Sequence, residues 1–226
     1  MANIVLNSPW ILPPEPEILA GFIRETGVRR NLSRGDGISI EGPDAEVALV
    51  ESGLTVVEVI GELRNRHIIA LVPPGATMGS MNIDGDLKLS YGVRMHSEGD
   101  VFVIPRKTLL QHAETDPIFL KCFALQLLRK EHAAMEGMFA NFALPLEIRL
   151  KHFFRSFIGA YYPLRQNAWN PLPVTIPMAS VSYIVNGNRS SISQIISRWA
   201  AEGLMKKDGH RLLFKSELLA DLPEAA

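Results

Sequence analysis

The stretch "IVNGNRSSISQIISRWAAEGLM", residues 184–205, decides how this chain is read. Asn186, Gly187 and Asn188 form a short turn, and Asn188 is a residue type that opens helices by accepting a first-turn backbone N–H. Beyond it, Ile192, Ile195, Ile196 and Trp199 recur at helical spacing and are expected to pack inward. Arg189, Ser190, Ser193, Gln194 and Arg198 are left on the outer face. The preceding "MASVSYIV" (178–185) supplies a first short helix, so two helices flank a three-residue turn in a helix-turn-helix pattern. Arginine forks onto guanine O6 and N7, and glutamine pairs with adenine N6 and N7, so Arg189 and Gln194 suit a helix end in a DNA major groove. Ser190 and Ser191 are short enough to let the helix approach and can bond phosphate oxygens. Any amphipathic helix pair with a glycine turn looks similar, so the tail needs further support.

Part of that support is charge. The chain has 226 residues and a formal net charge of −1, which gives no overall pull toward nucleic acid or membrane. The charge is uneven, however. Residues 177–216 hold six basic side chains (Arg189, Arg198, Lys206, Lys207, Arg211, Lys215) against Glu202 and Asp208, a surplus of four. Such a surplus fits a polyanion-binding tail, and it equally fits a solvated face. Directly after the second helix, "EGLMKKDGHRLLF" (202–214) reads as a hairpin turning at Asp208-Gly209, with Lys206, Lys207 and Arg211 around the turn. Ser191, Ser193, Arg198, Lys206, Lys207 and Arg211 are accordingly the candidate DNA-backbone contacts.

Upstream, residues 28–108 read as short strands: "GISI", "EVALVESG", "LTVVEVIGEL", "RHIIALVPPG", "LKLSYGVRMH" and "DVFVIPR", punctuated by Gly and Pro. Even spacing of this kind predicts an antiparallel barrel or jelly roll. "EPEILAGFIRETG" before them has helical spacing (Ile18, Phe22, Ile23) and stops at Gly27. The period changes at Asp116-Pro117, a strong helix start. From there to about Phe142 only Gly137 interrupts the helical pattern, at about 1 kcal/mol. Leu125, Leu128, His132, Met135, Phe139 and Phe142 recur at steps of three and four, a seam suited to a second copy of the chain. A parallel stripe (Leu120, Ala124, Leu127, Ala134, Met138) is expected to cover the β domain, the alternative being one helix buried all round in a monomer. Pro145 ends this helix, "LEIRLKHFFRSFIGAYY" makes another, and "PLRQNAWNPLPV" reads as a connection.

This order of parts resembles the cyclic-AMP receptor protein/FNR family of bacterial transcription factors, over nearly the whole chain. The likeness is sharpest in residues 184–205, which follow the family's helix-turn-helix without a gap. It implies an α+β fold with an N-terminal antiparallel, jelly-roll-like β-roll (1–115), a dimerisation helix (116–144) and a C-terminal winged helix-turn-helix (145–226). It also implies that Arg189, Ser190 and Gln194 are the base readers and Ser191 a phosphate contact. Arg189 keeps the family's usual residue, whereas Ser190 and Gln194 depart from the common Glu and Arg. The partners implied are double-stranded DNA and a second copy of the chain, with RNA polymerase a further candidate. Any ligand would act by shifting the seam near Pro145.

The effector pocket departs further. Cyclic-nucleotide binders of the family use a Gly-Glu pair and a later Arg-Ser pair. Here "MGSMNIDGDLKLSYGVRM" keeps Gly79 and Ser90, but Ser80 replaces the acid and Leu89 the arginine. A phosphate against leucine loses its charge-assisted bidentate partner. Ala134-Met135 likewise stand where hydroxyl residues commonly face the base. Cyclic AMP is therefore not the expected ligand, and no cofactor is expected. An apolar small molecule and an effector-free, constitutively active protein both fit.

Cys122 is the only cysteine, which excludes an iron–sulfur centre and a disulfide within the chain, and it reads as an inert buried thiol. Haem would need an axial ligand such as His67, His96, His112 or His132, each of which also reads as an ordinary surface or core histidine; His132 on the seam also suits a pH-sensitive dimer contact. A metalloenzyme built on the roll would need converging His and carboxylate ligands, yet no HxH pair, Gly-x-Ser-x-Gly elbow or phosphate loop occurs, and "RGDGIS" reads as a hairpin turn. The remaining rival is a dimeric sensor or adaptor whose winged helix meets a protein partner instead of DNA. The first residues lack the pattern of a signal peptide and no segment reaches membrane-spanning length, so a cytoplasmic location is expected.

Overall fold

The structure, a computed structural model, describes residues 6–60, 66–80, 91–209 and 211–220. The chain divides into two compact units, one of Leu12–Ala134 and one of Met1–Ile11 with Met135–Ala226.

The first unit is an antiparallel β-roll. β1 (Val28–Leu32), β7 (Gly99–Pro105), β2 (Glu46–Val50) and β5 (Thr77–Met78) form one sheet in that spatial order, and β4 (Arg66–Val72), β3 (Leu54–Ile60) and β6 (Tyr91–Ser97) form the other. Every pairing among the described residues of the roll is antiparallel. Strand β2, "EVALV", shows why these segments read as continuous apolar runs. Ala48 and Val50 enter a core shared with Val57, Ala70, Val72, Val93 and Met95 of the second sheet. Val47 and Leu49 point the other way, into a cluster with Leu19, Ala20 and Ile23 of α1 (Glu17–Thr26) and Leu109 and Ala113 of α2 (Arg106–Thr115). Both faces of this strand are buried, so the polar alternation of a half-solvated strand is missing.

Two segments depart from the sequence reading. "GISI" (37–40) is not a strand; it contributes a single bridge between Gly37 and Arg94. The residues after β7 turn into α2, whose polar sequence "RKTLLQHAET" hides the two anchors Leu109 and Ala113.

Helix α3 (Pro117–Ala143) begins where expected: Asp116 Oδ1 accepts the N–H groups of Ile118 (2.9 Å) and Phe119 (3.0 Å). Its buried stripe coincides with the expected one only at Leu127, half-buried against the α1–α2 cluster, and at the half-buried Ala134. Leu120, Ala124 and Met138 are exposed, whereas Phe119, Phe123, Gln126, Lys130 and Ala133 are buried. The stripe escapes a search by apolar spacing because two of its members are polar.

In the second unit, α4 (Leu146–Gly159) forms the hub. Phe153, Phe154 and Phe157 are fully buried; Phe154 stacks on Phe214 (ring centroids 4.4 Å apart) and Phe153 meets Trp10 edge-on (6.3 Å). Helices α5 (Met178–Ile184), α6 (Arg189–Ala201) and α7 (Ser216–Ala220) belong to the same unit. A three-stranded sheet completes it, in the order β8 (Trp169–Pro171), β10 (Arg211–Lys215), β9 (Met205–Asp208). Strand β8 lies inside the segment expected to be a plain connection. Its three residues are too few to show a period, and they are held by the buried Asn170, whose amide accepts from Arg165 N (2.8 Å) and donates to Arg165 O (3.1 Å).

Candidate nucleic-acid interface

Asn188 caps α6 from an extended backbone: its Oδ1 accepts the Ser190 N–H at 2.8 Å and the Ser190 hydroxyl at 2.7 Å. Ile192 and Trp199 anchor the inner face at 0% and 1% exposure, while Ile195 and Ile196 are half-buried. Arg189, Ser190, Ser193, Gln194 and Arg198 are exposed and Ser191 is half-buried. The Ser193 hydroxyl donates to Arg189 O (3.0 Å) and is to that extent occupied. With no acidic residue in its first turn, α6 presents the positive end of its dipole beside Arg189, an arrangement that attracts phosphate.

The turn is tightly determined. Asn186 takes a left-handed backbone (φ 46°), which asparagine tolerates better than most residues. A Cβ on Gly187 would lie 2.5 Å from Leu146 Cδ1, so a side chain there would require Leu146 of α4 to move aside. The Arg149 guanidinium donates to Val185 O (2.6 Å) and Asn186 O (3.1 Å), and the Asn141 amide donates to Ile184 O (3.0 Å). Arg149 and Asn141 thus hold the carbonyls that end α5. Neither is apparent from the sequence, because each lies far along the chain in a helix whose apolar face dominates its pattern.

Glu147 sets the back of α6. Its carboxylate accepts the Trp199 indole N–H (2.9 Å) and pairs with Arg198. Burial works against ionisation of Glu147, but the Trp199 and Arg198 hydrogen bonds win and hold its carboxyl below the usual range. Arg198, a candidate backbone contact, is therefore engaged with the protein itself. In the wing, Lys206, Lys207 and Arg211 are exposed, and Arg211 lies opposite Asp208 across the β9–β10 hairpin. The Lys206 ammonium sits over the Trp169 ring, 4.5 Å from its centroid, with Lys215 at 5.8 Å. Trp169 thus orders the base of the wing.

On α3, Leu125, Leu128, Met135, Phe139 and Phe142 are between 47% and 83% exposed, and His132 is exposed among them. Ile118, Leu120 and Met138 extend this apolar surface. In the roll, Gly79 follows β5 with φ 82°, and Ser80 is buried with its hydroxyl 2.8 Å from Lys130 Nζ. Leu89 and Ser90 lie outside the described residues. Cys122 is half-buried. His112 stacks on Phe22 (4.2 Å) with Phe119 edge-on (4.6 Å), and His96 is half-buried, where burial and Arg34 lower its pKa. His67 is exposed. No three His, Cys, Asp or Glu side chains converge among the described residues, and no helix among them is long and apolar enough to cross a membrane.

No protein-family profile matches the chain and no curated protein sequence matches it. Solved structures do. FixK2 from Bradyrhizobium japonicum superposes with a TM-score of 0.75 at 14% identity, covering 89% of this chain and 99% of that one. TTHA1359, a CRP/FNR-family transcriptional regulator from Thermus thermophilus, gives 0.65 at 19% identity over 86% and 99%. CLP, the c-di-GMP-responsive global regulator of Xanthomonas campestris, gives 0.64 at 15% over 88% and 98%. The chain has the fold of the CRP/FNR regulators: an antiparallel β-roll, a long helix, and a winged helix-turn-helix. At these identities the likeness speaks for the fold alone.

Proposed function

We propose that this chain is a sequence-specific DNA-binding transcription regulator, a divergent member of the CRP/FNR family that works in the cytoplasm as a homodimer and does not answer to cyclic AMP. The observation carrying the reading is the first turn of α6. It is capped by Asn188, clear of acidic residues, and exposes Arg189, Ser190 and Gln194 beside a wing bearing Lys207 and Arg211. Arg189, Ser190 and Gln194 read bases, Ser191 and the wing cations meet phosphates, and half-site spacing follows from dimer geometry. The exposed heptad-spaced seam of α3 supports the dimer, since an apolar strip of this kind is self-complementary about a two-fold axis. Ser80 in the place of the family's acid, already bonded to Lys130, supports indifference to cyclic AMP. RNA polymerase is a further partner if the protein activates. Catalysis is not part of this reading.

The test is selection of genomic DNA fragments by purified protein at two salt concentrations, beside Arg189→Ala. A palindromic motif is expected, bound with steep salt dependence because neutralised phosphates release counterions. Arg189→Ala is expected to cost about 1–3 kcal/mol of discrimination at one base pair of each half-site. A second reading, an adaptor whose winged helix meets protein, draws on Arg198 and Lys206 being engaged by Glu147 and Trp169, which leaves less free positive charge. Absence of any enrichment would favour the adaptor.

A further inference from the structure

The charged core of the roll is unusual. Lys130 of α3 and Glu15 of the segment before α1 are an ion pair whose side chains are 1% and 2% exposed. The Lys130 ammonium has three N–H donors, and three acceptors surround it: the Glu15 carboxylate, the Thr77 hydroxyl and the Ser80 hydroxyl at 2.8 Å. Glu15 Oε1 also accepts the Thr77 N–H at 3.2 Å and lies 2.6 Å from the Thr77 hydroxyl. One turn back on α3, Gln126 donates to Pro13 O (3.1 Å) and Pro14 O (2.8 Å). Burial pushes the Lys130 pKa down, and Glu15 pushes it back.

We propose that Lys130 is a built-in replacement for a diffusible effector: it pins α3 to the β5 edge and to residues 13–15, so that the DNA-binding form needs no small molecule. This rests on the DNA-binding reading above. Ser80 stands where the family resemblance places an acid for a ligand, and here its hydroxyl oxygen accepts a hydrogen bond from the Lys130 ammonium within the chain. Because the ammonium's donors are all matched, an anionic ligand could reach Lys130 only by displacing one of these three acceptors, and displacing the Glu15 carboxylate would leave a buried charge unpaired. A lysine used only for packing would extend its head to solvent, as long cationic side chains ordinarily do. This one is drawn fully inside and ties three elements together at one point.

The test uses the full chain and the double variant Glu15→Gln/Lys130→Met, which removes both charges, roughly conserves volume and avoids stranding either partner. Wild-type protein that binds its selected operator is expected to show, by native mass spectrometry, the mass of the polypeptide alone. The double variant is expected to bind the operator about tenfold more weakly, within the ordinary range of coupling between sites. Its amides over residues 126–134 are expected to exchange faster by a similar factor. A stoichiometric small molecule in the binding-competent wild type would overturn the proposal, as would a double variant that binds and exchanges like the wild type. If the wild type selects no DNA, the DNA-binding reading falls separately and the exchange comparison decides the pin: faster exchange keeps it, unchanged exchange removes it. Ser80→Ala covers the case of a double variant that does not fold. It removes one acceptor, leaves the ion pair, and is expected to move exchange in the same direction by less; no movement would sink the pin.

Discussion

Glu147 joins the indole N–H of Trp199 to the guanidinium of Arg198 and so couples α4 to the helix proposed to read DNA. Its carboxyl titrates below the ordinary value of 4.5. The folded value lies under the unfolded one, so the ionised carboxylate contributes stability above that pH, and the contribution is lost as pH falls through the depressed folded value. Glu147→Gln keeps an acceptor for Trp199 but drops the charge. The wild type is expected to melt above the variant at pH 7, with the gap narrowing as pH falls below 4.5 and through the depressed folded value. Calorimetry of both proteins from neutral into acid pH checks it; a gap that does not narrow in acid would place the effect in packing instead of charge. Neither Glu147 nor Arg149 stands out in "LEIRLKHFF", because nothing local says which distant carbonyl or indole each will meet.

At the scale of elements, α3 carries Gly137 where an alanine would favour the helix by about 1 kcal/mol. The reason is Trp10, which takes a left-handed backbone (φ 64°) and is 1% exposed. A Cβ on Gly137 would lie 2.4 Å from Trp10 Cδ1. Glu136 fixes the same segment by accepting the N–H of Asn7 (3.0 Å) and of Ser8 (2.8 Å). Gly137→Ala is therefore expected to lower the melting temperature in spite of its propensity gain, since overpacking costs about 1–3 kcal/mol. Thermal unfolding followed by circular dichroism reads this directly, and a raised melting temperature would mean that Trp10 can move aside. The start of α3 was legible because a cap is a local device, whereas its buried stripe was not. Gln126 and Lys130 look like surface residues until Pro13, Pro14 and Glu15 are brought against them.

For the whole molecule, the exposed strip of Leu125, Leu128, Met135, Phe139 and Phe142 is larger in character than the scattered apolar residues of a monomer's surface. Phe139→Asp is expected to shift the proposed homodimer toward monomer in analytical ultracentrifugation. A charge on an a/d-type position is buried unpaired on association, which commonly costs about 3–5 kcal/mol. Operator affinity should fall with it, because a monomer engages one half-site. A variant that remains dimeric would relocate the interface to another surface.

Local chemistry alone determined the parts list: a run of β segments, a long helix started by Asp116-Pro117, and a capped helix opening with Arg189. Each depends on periodicity or on a hydrogen bond between near neighbours, and both are written into adjacent residues. The tertiary structure decided what distant segments do to one another. It drew Lys130 inside, made Gly137 necessary through Trp10, engaged Arg198 with Glu147, and raised a strand from residues 169–171. In each case the deciding group comes from elsewhere in the chain: a charged partner for Lys130 and Arg198, a ring for Gly137, a paired strand for residues 169–171. A polar group's cost or benefit depends on whether a partner arrives within about 3 Å, and partners more than fifty residues away, as for Lys130 and Glu15, leave no trace in the local pattern.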